Sequence, residues 1–150
     1  MRLNDFLSPD AISLALRGGS KDEILAEMVS LLRTDERSAG TLHRILQRRE
    51  NLGSTGVGRG IAIPHGRSLM VSRLRLAFGR KPEGIDFQAI DGKPVFSFFL
   101  IMAPPLEISN QYLPVLGKIA QFAKEPDVPD RLRSIKSPDE LFRLLEEKGV

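Results

Sequence analysis

The chain has no cysteine and no tryptophan, and its 150 residues include one tyrosine and two histidines. Without cysteine there are no disulfides, no thiolate metal ligands and no thiol chemistry. The two histidines, His43 and His65, form no His-x-x-x-His pair, so no metal site is expected. One tyrosine and no tryptophan leave little to stack on nucleic-acid bases. The net charge of +3 is mild, and the lysines and arginines are dispersed among acids. Nucleic acid is therefore not an expected partner. No apolar run reaches bilayer-spanning length; the longest, Val95 to Ala103, contains Ser97, so no membrane insertion is expected. The first residues, Met1 to Phe6, carry an early acid and no hydrophobic signal region, which makes the cytoplasm the default compartment. With 41% hydrophobic and 27% charged residues, the composition is that of a folded globular chain, expected as a single domain over residues 1–150.

Helix signals come first along the chain. Ser20-Lys21-Asp22-Glu23 is a capping box, followed by Ile24, Leu25, Met28, Leu31 and Leu32 at helical spacing. A second helix is predicted from about Ser38 to Glu50, with Leu42, Ile45 and Leu46 on its apolar face. Arg49 falls on that face at the helix end, aimed at something specific, whereas His43 falls off it and reads as a solvated surface residue. Strands are predicted at Ile61-Ala62-Ile63, stopped by Pro64, at Arg73 to Gly79 with Arg73 and Arg75 on its open face, and at Val95 to Met102, buried on both sides. Asp91-Gly92 marks a turn. Ser109 or Asn110 is the expected cap of a helix carrying Leu113, Leu116, Ile119, Ala120 and Ala123, with Pro114 in its first turn. Ser137-Pro138-Asp139-Glu140 opens a last helix with Leu141, Phe142, Leu144 and Leu145. The expected class is α+β: a mixed central sheet of about four to five strands between helices, an α/β/α layering.

The densest chemistry lies between Arg49 and Arg67. It holds Gly53, Gly56, Gly58, Gly60 and Gly66, the hydroxyls Ser54 and Thr55, the cations Arg49, Arg59 and Arg67, and His65. Glycines can turn backbone N–H groups toward an anion, arginines add fixed positive charge, and a neutral imidazole is a nucleophile near pH 7. A nucleotide P-loop is excluded, because Arg59-Gly60 stands where a lysine and a metal-binding hydroxyl are required. A dinucleotide fingerprint fails because the run follows a helix and precedes a strand. Glu50 and Asp86 could orient a catalytic histidine, but no Gly-x-Ser-x-Gly elbow exists. A plain surface turn is the bland alternative. Against it stands His65 at a strand end beside the loop, with Arg49, Ser54, Thr55 and Arg67 for company.

Leu52-Gly53-Ser54-Thr55-Gly56-Val57-Gly58-Arg59-Gly60-Ile61-Ala62-Ile63-Pro64-His65-Gly66 resembles the signature of enzyme IIA domains of the fructose/mannitol class of the bacterial phosphoenolpyruvate-dependent phosphotransferase system. The likeness continues through Gly84-Ile85-Asp86-Phe87, Asp91-Gly92-Lys93-Pro94-Val95, Ala103-Pro104 and Lys136-Ser137-Pro138-Asp139-Glu140-Leu141, and so covers nearly the whole chain. The resemblance implies that His65 accepts a phosphoryl group from a histidine phosphocarrier protein and that Arg49 helps bind it, with Ser54 and Thr55 nearby. Arg67 and Tyr112 are possible auxiliaries. No metal or cofactor is needed, because arginine and backbone donors can stabilise the transferring group. Where many members carry a second histidine in a His-Leu pair, this chain has Tyr112-Leu113. The likeness is nearest to the nitrogen-regulatory branch, which implies signalling through phosphorylation state to a downstream protein. A sugar-transport component passing phosphate to a IIB partner, and a binding module that works without phosphorylation, are the alternatives.

Overall fold

A computed structural model of the chain describes residues 2–106 and 110–150. After a short 3-10 turn at Leu3–Asp5 come strand β1 (Leu7–Ser13), helices α1 (Lys21–Ser30) and α2 (Glu36–Asn51), and strands β2 (Gly56–Gly58), β3 (Ile61–Ala62), β4 (His65–Arg67), β5 (Arg75–Ile85) and β6 (Val95–Ala103). Helices α3 (Tyr112–Ala123), α4 (Val128–Ser134) and α5 (Pro138–Glu147) follow. The sheet is mixed and 6-stranded, with order β1-β5-β6-β3-β2 and β4 also paired to β6. The α+β class stands as expected, with one or two more strands.

β6 is the spine, and its alternation sorts the two helical layers. Gly79 faces Phe98 and Gly66 faces Met102 across the ladders, which puts these four on one face. A Cβ on Gly79 would strike Met28 of α1, and one on Gly66 would strike Ile45 of α2. That face therefore carries α1 and α2. The other face bears Phe99, edge-on to Phe78 with ring centroids 4.9 Å apart and to Phe122 of α3 at 6.0 Å. Such T-shaped pairs add to the burial that drives the core together.

Several expectations are corrected. β1 and α4 were not predicted. β5 starts at Arg75 rather than Arg73 and runs on to Ile85, with Leu76 to Gly79 buried. Helix α2 begins at Glu36, two residues before its expected start, where the Asp35 carboxylate accepts the Ser38 N–H at 2.8 Å. In the Ser20 box, Ser20 accepts the Glu23 N–H, but Glu23 returns its bond to the Gly19 N–H. Gln111, not Asn110, occupies the cap position of α3; Ser109 lies outside the described residues. The buried stripe of α3 is Tyr112, Val115, Ile119, Phe122 and Ala123, and Leu113 is 66% exposed. Ile119 and Ala123 are buried as expected and Leu116 and Ala120 pack partly buried against the core, so the buried stripe is shifted toward Tyr112 by less than one residue's turn. That shift turns Tyr112 inward.

β3 stops at Ala62, short of Pro64 as expected, but pairing with β6 resumes beyond the proline. Ile61 faces Ser97 and Ala62 faces Phe98; beyond the proline, His65 faces Ile101 and Arg67 faces Ala103. The spacing between partners is the same on both sides. β3 and β4 are therefore one path along β6, missing only the N–H that proline cannot supply. The Pro64 carbonyl still accepts the Ile101 N–H at 3.0 Å.

Candidate functional site

His65 opens β4 immediately after that proline, half-buried. Its Nδ1 lies 2.7 Å from the Ile63 carbonyl oxygen. A carbonyl can only accept, so Nδ1 carries the hydrogen and the lone pair of the neutral ring is on Nε2. Burial, more than any other cause, pushes the His65 pKa below its ordinary value of 6.5, and the nearby Arg49 charge pushes the same way. The Ile63 hydrogen bond and the Glu50 charge act in the opposite direction. On balance the ring is held neutral, with one nitrogen locked as donor and the other left nucleophilic.

The glycine run is more tightly built than an open anion cradle. Gly58, Arg59 and Gly60 all have positive φ and make the turn that joins β2 antiparallel to β3. Gly56 has no room for a Cβ, which would sit 2.8 Å from that of Ala89. Its N–H donates to Ser54 Oγ, the Arg59 N–H to Asp91 Oδ2, and the Thr55 N–H to the Glu50 carboxylate. These donors are committed within the protein. The hydroxyls are committed too: Ser54 Oγ donates to the Phe87 carbonyl at 2.9 Å, and Thr55 Oγ1 donates to Glu50.

Arg49 ends α2 half-buried, and Nη1 donates to the Gly53 carbonyl at 2.8 Å. Its charge is felt by both His65 and Tyr112, so it belongs to the site. The buried position at that helix end is its neighbour, Glu50, which continues the stripe of Leu42 and Leu46. Glu50 also receives Lys21 Nζ at 2.7 Å. Sequence offered Glu50 only as the orienting carboxylate of a rejected hydrolase reading, and did not offer Lys21 as a site residue at all. The spacing of Leu42, Leu46 and Glu50 at i, i+4 and i+8 was the available signal for the first. His43 is corrected as well: its Nε2 lies 3.1 Å from Asp22 Oδ1, and Gln47 binds the same carboxylate. It ties α2 to α1 instead of facing only water.

Tyr112, buried, also lies beside the imidazole, with ring centroids 6.3 Å apart. Burial, its main influence, raises the pKa of the phenol, and Arg67 and Arg49 partly offset this. The phenol is therefore neutral at pH 7. Arg67 lies over the Tyr112 ring at 4.3 Å and donates to the Pro104 and Pro105 carbonyls. All six sequence-predicted site residues thus fall around one strand and its flanking turn. Among the described residues, no cluster of histidines, aspartates or glutamates could hold a metal, and no helix is long and apolar enough to cross a membrane.

Comparison with known proteins adds independent weight. Residues 5–148 match the model of the family described as the phosphoenolpyruvate-dependent sugar phosphotransferase system, EIIA 2. The chain is 33% identical over 149 residues to the nitrogen regulatory protein of Bradyrhizobium diazoefficiens, covering 97% of this chain and 95% of that protein. It is 35% identical over 147 residues to the protein of the same name from Pseudomonas aeruginosa, again covering 97% and 95%. The crystal structure of nitrogen regulatory protein IIA-Ntr from Neisseria meningitidis superimposes with a TM-score of 0.86 at 34% identity, covering 95% of this chain and 98% of that one. With a family match over almost its whole length and a neutral, tautomer-locked histidine at the signature position, the chain belongs to the EIIA 2 family of the phosphotransferase system.

Proposed function

We propose that this protein accepts a phosphoryl group on Nε2 of His65 from a histidine phosphocarrier protein and signals through its phosphorylation state. The observation that carries the reading is the Nδ1–Ile63 hydrogen bond, which leaves Nε2 as the nucleophilic atom. In the transfer, the Nε2 lone pair forms a bond to phosphorus as the donor's N–P bond breaks, and the donor nitrogen keeps the electron pair. The equatorial oxygens carry spread negative charge, which needs positioning and fixed positive charge more than acid–base chemistry. Arg49 supplies that charge. Ser54 and Thr55 act by shaping the loop beside His65, since their hydroxyl protons are held by Phe87 and Glu50. Arg67 and Tyr112 form a further wall of the site.

As Nε2 bonds to phosphorus, the ring gains positive charge while keeping its Nδ1 hydrogen. The Ile63 carbonyl and Glu50, which favour a cationic ring, therefore also favour the phosphorylated product. Similar proteins are named nitrogen regulatory proteins, which supports a regulatory role.

Incubation with enzyme I, a phosphocarrier protein and phosphoenolpyruvate, followed by mass spectrometry, tests the reading. One acid-labile phosphate is expected on the wild-type protein and none on His65→Ala. Absence of label on the wild type, or its persistence in the variant, would overturn the proposal.

A further inference from the structure

An unbroken run of hydrogen bonds and one ion pair links helix α1 to the imidazole. Lys21 Nζ, at the first position of α1, meets Glu50 Oε2 at 2.7 Å. The Glu50 carboxylate accepts the Thr55 N–H at 3.1 and 3.2 Å and also the Thr55 hydroxyl. The Thr55 carbonyl accepts the Ile63 N–H at 2.9 Å, and the Ile63 carbonyl accepts His65 Nδ1 at 2.7 Å. Lys21 grips the loop from a second direction. Its ammonium sits 4.7 Å from the Phe87 ring centroid and reaches Gln88 Oε1, while the Phe87 carbonyl holds Ser54.

The burial of this chain is unusual. The Glu50 side chain is 5% exposed and that of Lys21 19%. Placing a carboxylate there carries a desolvation cost that a neutral residue of similar shape would avoid. Charge at this position therefore calls for a reason beyond packing. A carboxylate can accept two bonds from one residue and a third contact from an ammonium at once. That fixes the Thr55 peptide in both position and tilt, and Thr55 in turn sets Ile63.

We infer that Glu50 and Lys21 are positioning residues for His65: they act through Thr55 and Ile63 to hold the imidazole in the Nδ1–H tautomer, oriented for transfer at Nε2. The inference rests on the phosphoacceptor reading above for its functional consequence, but its structural half can be measured without any donor. The charged groups felt by the ring are Arg49 and Glu50, with Lys21 one contact further out.

The experiment uses Glu50→Gln, Lys21→Met and Lys21→Arg in the full chain. Nitrogen-15 spectra of the imidazole read the tautomer and the titration of His65 directly. Glu50→Gln is expected to deplete the Nδ1–H tautomer and to lower the His65 pKa, because a charge that raises it is gone. Phosphoryl acquisition is expected to slow by roughly tenfold or more, as small displacements near a reacting atom do. Lys21→Met should deplete the tautomer and slow acquisition by less. It should shift the His65 pKa upward, because the Glu50 charge loses its compensating cation. Lys21→Arg should restore each readout. Lys21 is the more exposed end of the chain, so this pair keeps the test decisive if Glu50→Gln does not fold. A wild-type tautomer population and titration in Glu50→Gln, or in Lys21→Met, would overturn the inference. If instead the wild type takes no phosphate, the phosphoacceptor reading fails, and the tautomer spectra still decide the positioning claim.

Discussion

The two walls beside His65 are built on opposite principles. The wall of Arg49, Glu50 and Thr55 is held by short, directional hydrogen bonds around a buried carboxylate. The wall of Arg67 and Tyr112 is held by a cation over an aromatic face, with the arginine's donors spent on two proline carbonyls. Directional bonds to a charged group fix position closely. A stacked pair fixes an approach and tolerates sliding. The first wall suits a rigid geometry around the imidazole, and the second suits a face that can adjust. Leu69, two residues after Arg67, is 87% exposed, and Leu113, next to Tyr112, is 66% exposed.

The contrast can be broken most directly at the two arginines. Arg49→Ala is expected to slow phosphoryl acquisition on the order of a hundredfold, the usual cost of losing one donor to transition-state charge. Arg67→Ala should cost several-fold less in the same assay. Equal losses would mean that both walls serve the transfer alike.

A smaller effect follows from pH. Because the folded protein holds the His65 pKa below 6.5, the ring should remain nucleophilic at pH values where a free histidine is largely protonated. Acquisition should then fall only as pH drops through the folded pKa, measured by NMR titration alongside rate. The same depression affects stability. The unfolded chain binds this proton more readily, so the His65 contribution is fully present above 6.5 and is lost as pH falls through the folded value. Denaturation midpoints that rise on acidification across this window would contradict the neutral assignment.

The smallest expected effect sharpens the second wall. Tyr112→Phe keeps the ring under Arg67 and should leave its coupling to that residue nearly intact. Tyr112→Leu removes the aromatic face, and a double-mutant cycle with Arg67→Met should return about 0.5–1 kcal/mol of coupling for the tyrosine and little for the leucine. A vanishing coupling for tyrosine would reduce that wall to simple packing.

Much of this was readable from residue order, for reasons that differ by element. β6 announced itself as a continuous apolar run, and α5 as a serine, proline and glutamate at fixed spacing, because each signal is local. β1 gave no such signal. Pro9 and Asp10 interrupt it, Leu7 and Ala11 are its buried residues, and its register against β5 shifts between Leu7 and Ile12. An edge position tolerates such a sequence without demanding alternation. In α3, either of two adjacent stripes was apolar enough to face the core, and contact with β6 chose the one carrying Tyr112. His65 and Arg49 were legible as chemistry. Lys21 was not, since its meeting with Glu50 exists only once α1 has packed against α2.

The Ile63–Pro64 step also has a bearing on solubility. On a strand flank facing away from β6, an unpaired acceptor or donor invites another chain to add itself as a further strand. Here the Ile63 N–H is taken by Thr55 and its carbonyl is covered by the imidazole of His65, while the backbone of Pro64 faces β6, where its carbonyl accepts the Ile101 N–H. The proposed phosphoacceptor thus also covers the carbonyl that would otherwise lie open on that flank. Replacing His65 by alanine would uncover that carbonyl, so a silent variant is also the one to watch for self-association.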